Sequence, residues 1–138
     1  MGRAALLIAG LGALLLVAPR EGHAQDGAEE GRCFELRTYT APDGNLDALN
    51  RRFRKYSRIV FARHRMDPMG FWIPLDNPEN HFVYMLAFPS RFARHEAWRA
   101  FDMDPEWQRA YEASRADGPL VENVESTLLR PTDYSPLR

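Results

Sequence analysis

The 138-residue chain has a single cysteine, Cys33. One thiol closes no internal disulfide, so the fold must rest on packing whatever the redox state around it. Cys33 itself reads as a small, half-buried residue opening a strand. Metal-ligand spacing is missing as well: the four histidines and one cysteine form no paired motif, and no metal is expected. Excess charge is absent too. Eighteen basic residues against nineteen acidic ones leave a formal charge of −1, which gives no reason to expect nucleic acid or a strongly anionic partner. No glycine-rich phosphate loop and no Ser-His-Asp or Cys-His order is recognisable.

Long apolar runs are confined to the N-terminus. Arg3 precedes an unbroken apolar and small-residue run from Ala4 to Ala18, Pro19 and Arg20 end it, and Gly22-His23-Ala24 supplies small residues at the positions a signal peptidase inspects. This is the pattern of a secretory signal peptide, with cleavage expected after Ala24. The run is short of the about 20 apolar residues that span a bilayer as a helix. No stable membrane anchor is therefore expected after cleavage. Residues 1–24 read as the leader, 25–32 as a flexible lead-in, 33–131 as one domain and 132–138 as a loose tail. The expected product is an exported bacterial protein, periplasmic or secreted.

Periodicity then organises the domain. CFELRTYT, Cys33 to Thr40, alternates and reads as a strand, followed by the turn Ala41-Pro42-Asp43-Gly44. Leu46, Leu49, Phe53, Tyr56 and Val60 recur at helical spacing. Asn45 is the expected N-cap, and Asp67-Pro68 the expected stop. Gly70 to Leu75 reads as an edge strand carrying Pro74, and HFVYMLAF, His81 to Phe88, as the clearest strand. Ser90 is expected to cap a second helix, Asp104-Pro105-Glu106 to restart it, and Asp117-Gly118-Pro119 to stop it. Val121 to Arg130 alternates as the last strand. The order β-α-β-β-α-β is the ferredoxin-like plan: an α+β domain with a four-stranded antiparallel sheet and both helices on one face.

Two helices cover one sheet face only. Alternation on the first strand separates Phe34, Leu36 and Thr38 from Cys33, Glu35, Arg37 and Tyr39, and the apolar set is expected under the helices. The neighbouring strands are apolar on both faces, with Phe82, Tyr84, Leu86 and Phe88 opposed to Val83, Met85 and Ala87. Soluble monomers rarely leave so apolar a face uncovered, so a second copy is expected to pack on it as a homodimer. Glu35, Arg37 and Tyr39 in that closed space, with Trp72 as a wall, have the composition of a pocket for a small organic ligand. The alternative is that Glu35 and Arg37 only pair with each other or with neighbours, as buried charges must.

FELRTYT, GNLDALNRRF, HRMDPMGFW and FDMDPEWQRAYEASR together resemble the NIPSNAP family, over about Phe34 to Leu129. The resemblance implies a dimeric α+β barrel and does not by itself supply a reaction. The barrel's superfamily includes cofactor-independent monooxygenases, isomerase-like enzymes and haem-handling proteins, among which fold does not choose. Haem-degrading relatives carry an asparagine on the first strand, a tryptophan on the third and a histidine on the second helix. Here only His95 corresponds, and no cofactor is expected.

His64 extends the apolar stripe of the first helix and is the candidate general base, with Tyr39 as the other proton-handling candidate. The bland reading sets His64 at the helix C-terminus, bonding the last carbonyls. Arg51, Arg54, Arg58 and Arg65, with Arg52, Lys55 and Arg63 extending the charge, read as a solvated or inter-helix-paired face. Trp98, Trp107 and Tyr111 read as packing. Three functions remain: a ligand-binding domain, a cofactor-independent monooxygenase or isomerase-like enzyme, and a non-catalytic interaction module.

Overall fold

The computed structural model describes residues 31–138; the leader, the cleavage after Ala24 and all but the end of the lead-in lie outside the described residues. The elements run β1 (Cys33–Thr40), α1 (Leu46–Arg52), a π-helical segment (Phe53–Ser57), α2 (Arg58–Arg63), β2 (Asp67–Trp72), β3 (His81–Phe88), α3 (Arg91–Asp102), α4 (Pro105–Ser114) and β4 (Asn123–Leu129). The strands form one sheet in the order β2-β3-β1-β4, each neighbour antiparallel. This is the ferredoxin-like α+β plan.

The helix caps explain where the second helical region breaks. Ser90 Oγ accepts from Ala93 N at 3.0 Å, and Asp104 Oδ1 accepts from Glu106 N at 2.9 Å and Trp107 N at 3.2 Å. Pro105 sits at the first turn of α4, where a missing N–H loses nothing. The core gathers around Phe53, whose ring lies 4.5 Å from that of Phe82 and 5.0 Å from that of Tyr84.

Local chemistry departs from the sequence reading at both ends of the first helical region. Asn45 is already helical and caps nothing; its Nδ2 donates to Pro119 O at 3.0 Å, tying the start of α1 to the loop before β4. The far end is not closed by Asp67-Pro68. Arg65 turns left-handed at φ 57°, Arg65 N donates to Ala62 O at 3.3 Å and Met66 N to Phe61 O at 2.9 Å. That is a Schellman closure, and Met66 and Phe61 are buried beside it in the same core. The chain reverses early enough for β2 to begin at Asp67, three residues before the expected start. Pro68 is tolerated there because β2 is an edge strand with a bulge between Pro68 and Gly70.

A larger correction concerns the two faces of β1. Cys33, Glu35, Arg37 and Tyr39, not Phe34, Leu36 and Thr38, lie under the helices. Arg37 pairs with Tyr84 and Tyr39 with Phe82, and both partners are buried against Phe53. The cause is Glu35. Its carboxylate is fully buried, so it must find donors, and Arg94 and Trp98 of α3 supply them from the helix layer. Leu36, Thr38, Val83 and Met85 therefore make up the open face, where they are half-buried.

Candidate functional site

The π-helical segment positions the most unusual group of side chains. On a regular α-helix residues five apart diverge by about 140°, at about 100° per residue. Bonding with i→i+5 spacing instead brings such residues toward the same side. Arg52 and Ser57 are five apart across this segment, and both are buried, at 5% and 1% exposure. Tyr56, expected in the apolar stripe, is only half-buried as a result.

Arg52 and Ser57 line a cavity of about 310 Å³ between the helices and the β1–β4 side of the sheet, with Tyr39, Phe53, Trp107 and Tyr111. The volume is at the small end of ligand pockets, which run from about 300 to 1,000 Å³. The Arg52 guanidinium carbon stands 5.4 Å from the Trp107 ring and 5.4 Å from the Tyr111 ring, and Nη1 donates to Ser114 Oγ at 3.3 Å. Among the described residues three buried side-chain atoms have no hydrogen-bond partner, Arg37 Nε and, on this cavity, Arg52 Nε and Ser57 Oγ. Among the described residues Arg52 forms no ion pair. Burial pushes its pKa below the ordinary arginine value, and Arg115 adds a like charge in the same direction.

Tyr39 gives this cavity a hydroxyl. Tyr84 Oη donates to Tyr39 Oη at 2.9 Å, and Tyr84 is fully buried with no other side-chain partner among the described residues. The buried phenol must donate to remain satisfied, which leaves the Tyr39 proton free for the cavity. Burial pushes Tyr84 well above the ordinary phenol value.

The other expected site residues lie elsewhere. Glu35 accepts five hydrogen bonds: from Arg94 Nε and Nη2 at 2.7 Å each, Trp98 Nε1 at 2.7 Å, Ser126 Oγ at 2.6 Å and Arg37 Nη1 at 2.9 Å. Burial alone would raise its pKa; these donors overcome that and hold it at about 2. Arg37 is held high against its own burial by Tyr84, Tyr39 and Glu35, and its guanidinium lies 4.4 Å from the Trp98 ring. Glu35 and Arg37 are thus engaged with each other.

His64 faces Asp104, with Nε2 2.8 Å from Oδ2, and the same oxygen accepts from Arg63 Nη1 at 2.8 Å. Burial would raise Asp104, but the bonds from His64 and Arg63 and the α4 N–H groups hold it below the usual carboxylate range. His64 is the C-cap of α2 and joins it to the N-cap of α4. Trp72 helps to line a second cavity of about 430 Å³ with Phe71, Phe82 and Arg58. Its indole lies across Gly70, where a Cβ would come within 2.3 Å of the ring. Arg58 Nε there is already satisfied by Arg54 O at 2.8 Å, so the smaller cavity, with its orphaned polar atoms, is the stronger candidate. Among the described residues no group of three or more His, Cys, Asp or Glu could hold a metal ion.

Of the site residues expected from the sequence, Tyr39 alone lines this cavity. Arg52 was submerged among the helix's other cations, and Trp107 and Tyr111 among packing aromatics. The one available signal was a cation within the stripe defined by Leu49 and Phe53.

The NIPSNAP family model matches residues 34–136. Two solved NIPSNAP family proteins from Agrobacterium tumefaciens superpose closely. One is 24% identical with a TM-score of 0.69, covering 78% of this chain and 99% of its own. The other, of unknown function, is 25% identical with a TM-score of 0.69, covering 79% and 96%. SnoaB, a cofactor-independent oxygenase from Streptomyces nogalater, shares the fold at 17% identity and a TM-score of 0.50, covering 76% and 97%. No curated protein matches the chain.

Proposed function

The chain belongs to the NIPSNAP family, and from that premise we propose that its domain is a homodimeric binding module that takes a small organic ligand in the helix–sheet cavity. The observation that carries this is the cavity itself: about 310 Å³, walled by aromatic rings and furnished with the Tyr39 hydroxyl. An interior built only for stability would be filled by side chains at crystal-like density. Tyr39 orients the ligand by donating a hydrogen bond, and Phe53, Trp107 and Tyr111 supply apolar and aromatic contact. Glu35 and Arg37 brace the wall behind Tyr39 and leave the ligand to others.

The dimer forms through the open sheet face. Leu36, Val83 and Met85 support this, since no helix among the described residues covers them and a second copy offers an identical apolar surface. The same reading places the domain outside the cytoplasm, on the strength of the apolar run Ala4 to Ala18 and the Gly22-His23-Ala24 site.

Native mass spectrometry of protein purified from its own source tests the ligand. A small-molecule adduct released on collisional activation is expected; bare polypeptide in every charge state would sink the reading. Sedimentation at micromolar concentration tests the dimer, and a stable monomer would remove it.

The Tyr39–Tyr84 pair favours one second reading, cofactor-independent oxygenase or isomerase-like chemistry with Tyr39 delivering the proton. Turnover of a bound ligand abolished in Tyr39→Phe is the expected sign of it. His64, held by Asp104, is not the base in that reading.

A further inference from the structure

We infer that the ligand of this cavity is an aromatic or similarly planar organic anion, whose carboxylate or equivalent oxyanion sits against Arg52 Nε and Ser57 Oγ. This rests on the ligand-binding reading above and specifies the chemistry of that ligand.

Three independent features of the chain point to an oxyanion. First, Arg52 is a buried cation with no anionic partner among the described residues. A charge removed from water is normally paired, and Arg37 and Arg94 obey that rule with Glu35. Arg52 has only the Ser114 hydroxyl at 3.3 Å and two ring faces. Glu122 lines the same cavity but is exposed and makes no ion pair with it.

Second, both orphaned atoms on this cavity, Arg52 Nε and Ser57 Oγ, can donate. Arg52 Nε–H can only donate, and the Ser57 hydroxyl supplies a second proton. Tyr39, with its acceptor side occupied by Tyr84, offers a third on the same cavity. A cluster of donors selects an acceptor-rich group, and a carboxylate is the smallest organic one.

Third, the backbone is distorted to make the pair. Only the π-helical segment turns Arg52 and Ser57 to one side, and such segments recur at functional positions. The rest of the wall is aromatic, with the Phe53, Trp107 and Tyr111 rings presented to whatever carries the anion. A flat ring suits these faces better than a branched aliphatic chain.

A matched pair of probes, 2-naphthoate and 2-naphthamide, separates the claims by calorimetric titration of the full domain. The carboxylate is expected to bind about tenfold or more tightly than the amide. In Arg52→Gln this preference is expected to fall to about one, and in Ser57→Ala to shrink by a smaller factor. Should Arg52→Gln fail to fold, the wild-type Arg52 Nε–H resonance gives the same answer. It is expected to shift on adding naphthoate and to stay in place with naphthamide. Equal affinity for the two probes, a preference untouched by Arg52→Gln, or an unmoved resonance would overturn the oxyanion seat while leaving a ligand cavity. Binding of neither probe at millimolar concentration would overturn the cavity reading with it.

Discussion

Glu35 and Arg52 are charged side chains of opposite sign, buried at 0% and 5% exposure in the same helix–sheet interface. Around Glu35 every acceptor position is used, by two arginines, an indole and a hydroxyl. Around Arg52 there is one long bond, two ring faces and a cavity. Tyr39 stands between the two regions, with its ring 5.5 Å from the Arg37 guanidinium and its edge in the cavity wall. Folding alone accounts for the Glu35 carboxylate, whose donors from Arg37, Arg94, Trp98 and Ser126 pin α3 to β1 and β4, although Arg37 Nε is left without a bond among the described residues. The same requirement leaves Arg52 unexplained unless something arrives from outside. Of these two buried charges, the saturated one is architecture and the unsaturated one is where to look for function.

The sharpest way to break that contrast is to empty the saturated region. Glu35→Gln removes the charge that Arg94 and Arg37 share and replaces an acceptor oxygen by a donor. Removing the buried partner of two half-buried cations in this way is expected to destabilise by about 3–5 kcal/mol, read from urea unfolding. The loss should depend on pH with a definite sign. The Glu35 carboxyl is held at about 2 in the folded chain against an ordinary 4.5, so it binds protons more readily when unfolded. Its stabilisation is then complete above pH 4.5 and declines as pH falls toward 2. The wild type and Glu35→Gln should therefore converge in acid and stay apart at neutral pH. A gap that persists unchanged to pH 2 would show that charge is not what Glu35 supplies.

A smaller effect is expected at the tyrosine pair that joins the regions, and it should be unequal. Tyr39→Phe leaves the buried Tyr84 hydroxyl with no partner, a loss of about 1–3 kcal/mol. Tyr84→Phe removes the buried hydroxyl itself and leaves Tyr39 beside a cavity where water can serve, at about 1 kcal/mol. Thermal unfolding of both variants checks the order. Equal losses would mean that the Tyr39 hydroxyl is not open to the cavity.

Which of these regions could be read in advance follows from what each depends on. The element order, the Ser90 and Asp104 caps and the βαββαβ plan rest on local chemistry, so the sequence displays them. The side of β1 that meets the helices does not follow from hydrophobicity, because Phe34 and Leu36 are apolar while Glu35 and Arg37 are charged. It was decided by partners fifty-nine or more residues away, Arg94 and Trp98, which complete the carboxylate. Arg52 and Ser57 are not legible in the sequence for a related reason. At 3.6 residues per turn they belong to different faces, and only the widened turn across Phe53–Ser57 unites them. His64 was correctly placed at the helix end, but its pairing with Asp104 is again a contact between distant elements, 40 residues apart.

Arg52→Met should have the least effect on stability and the most bearing on the comparison. The substitution gives up one bond at 3.3 Å and the attraction of the Trp107 and Tyr111 faces, worth about 0.5–1 kcal/mol at each ring. Against that loss it relieves a buried guanidinium whose Nε has no partner, and methionine keeps the unbranched stem that packs against the rings. Replacing buried charge by apolar volume is often neutral or stabilising, so the two sides should cancel to within about 1 kcal/mol in urea unfolding. A loss of about 3–5 kcal/mol, matching that at Glu35, would mean that Arg52 holds the fold as Glu35 does. In that case the two charges would differ only in the identity of their structural partners, and the cavity would lose its claim to be the working end of the interface.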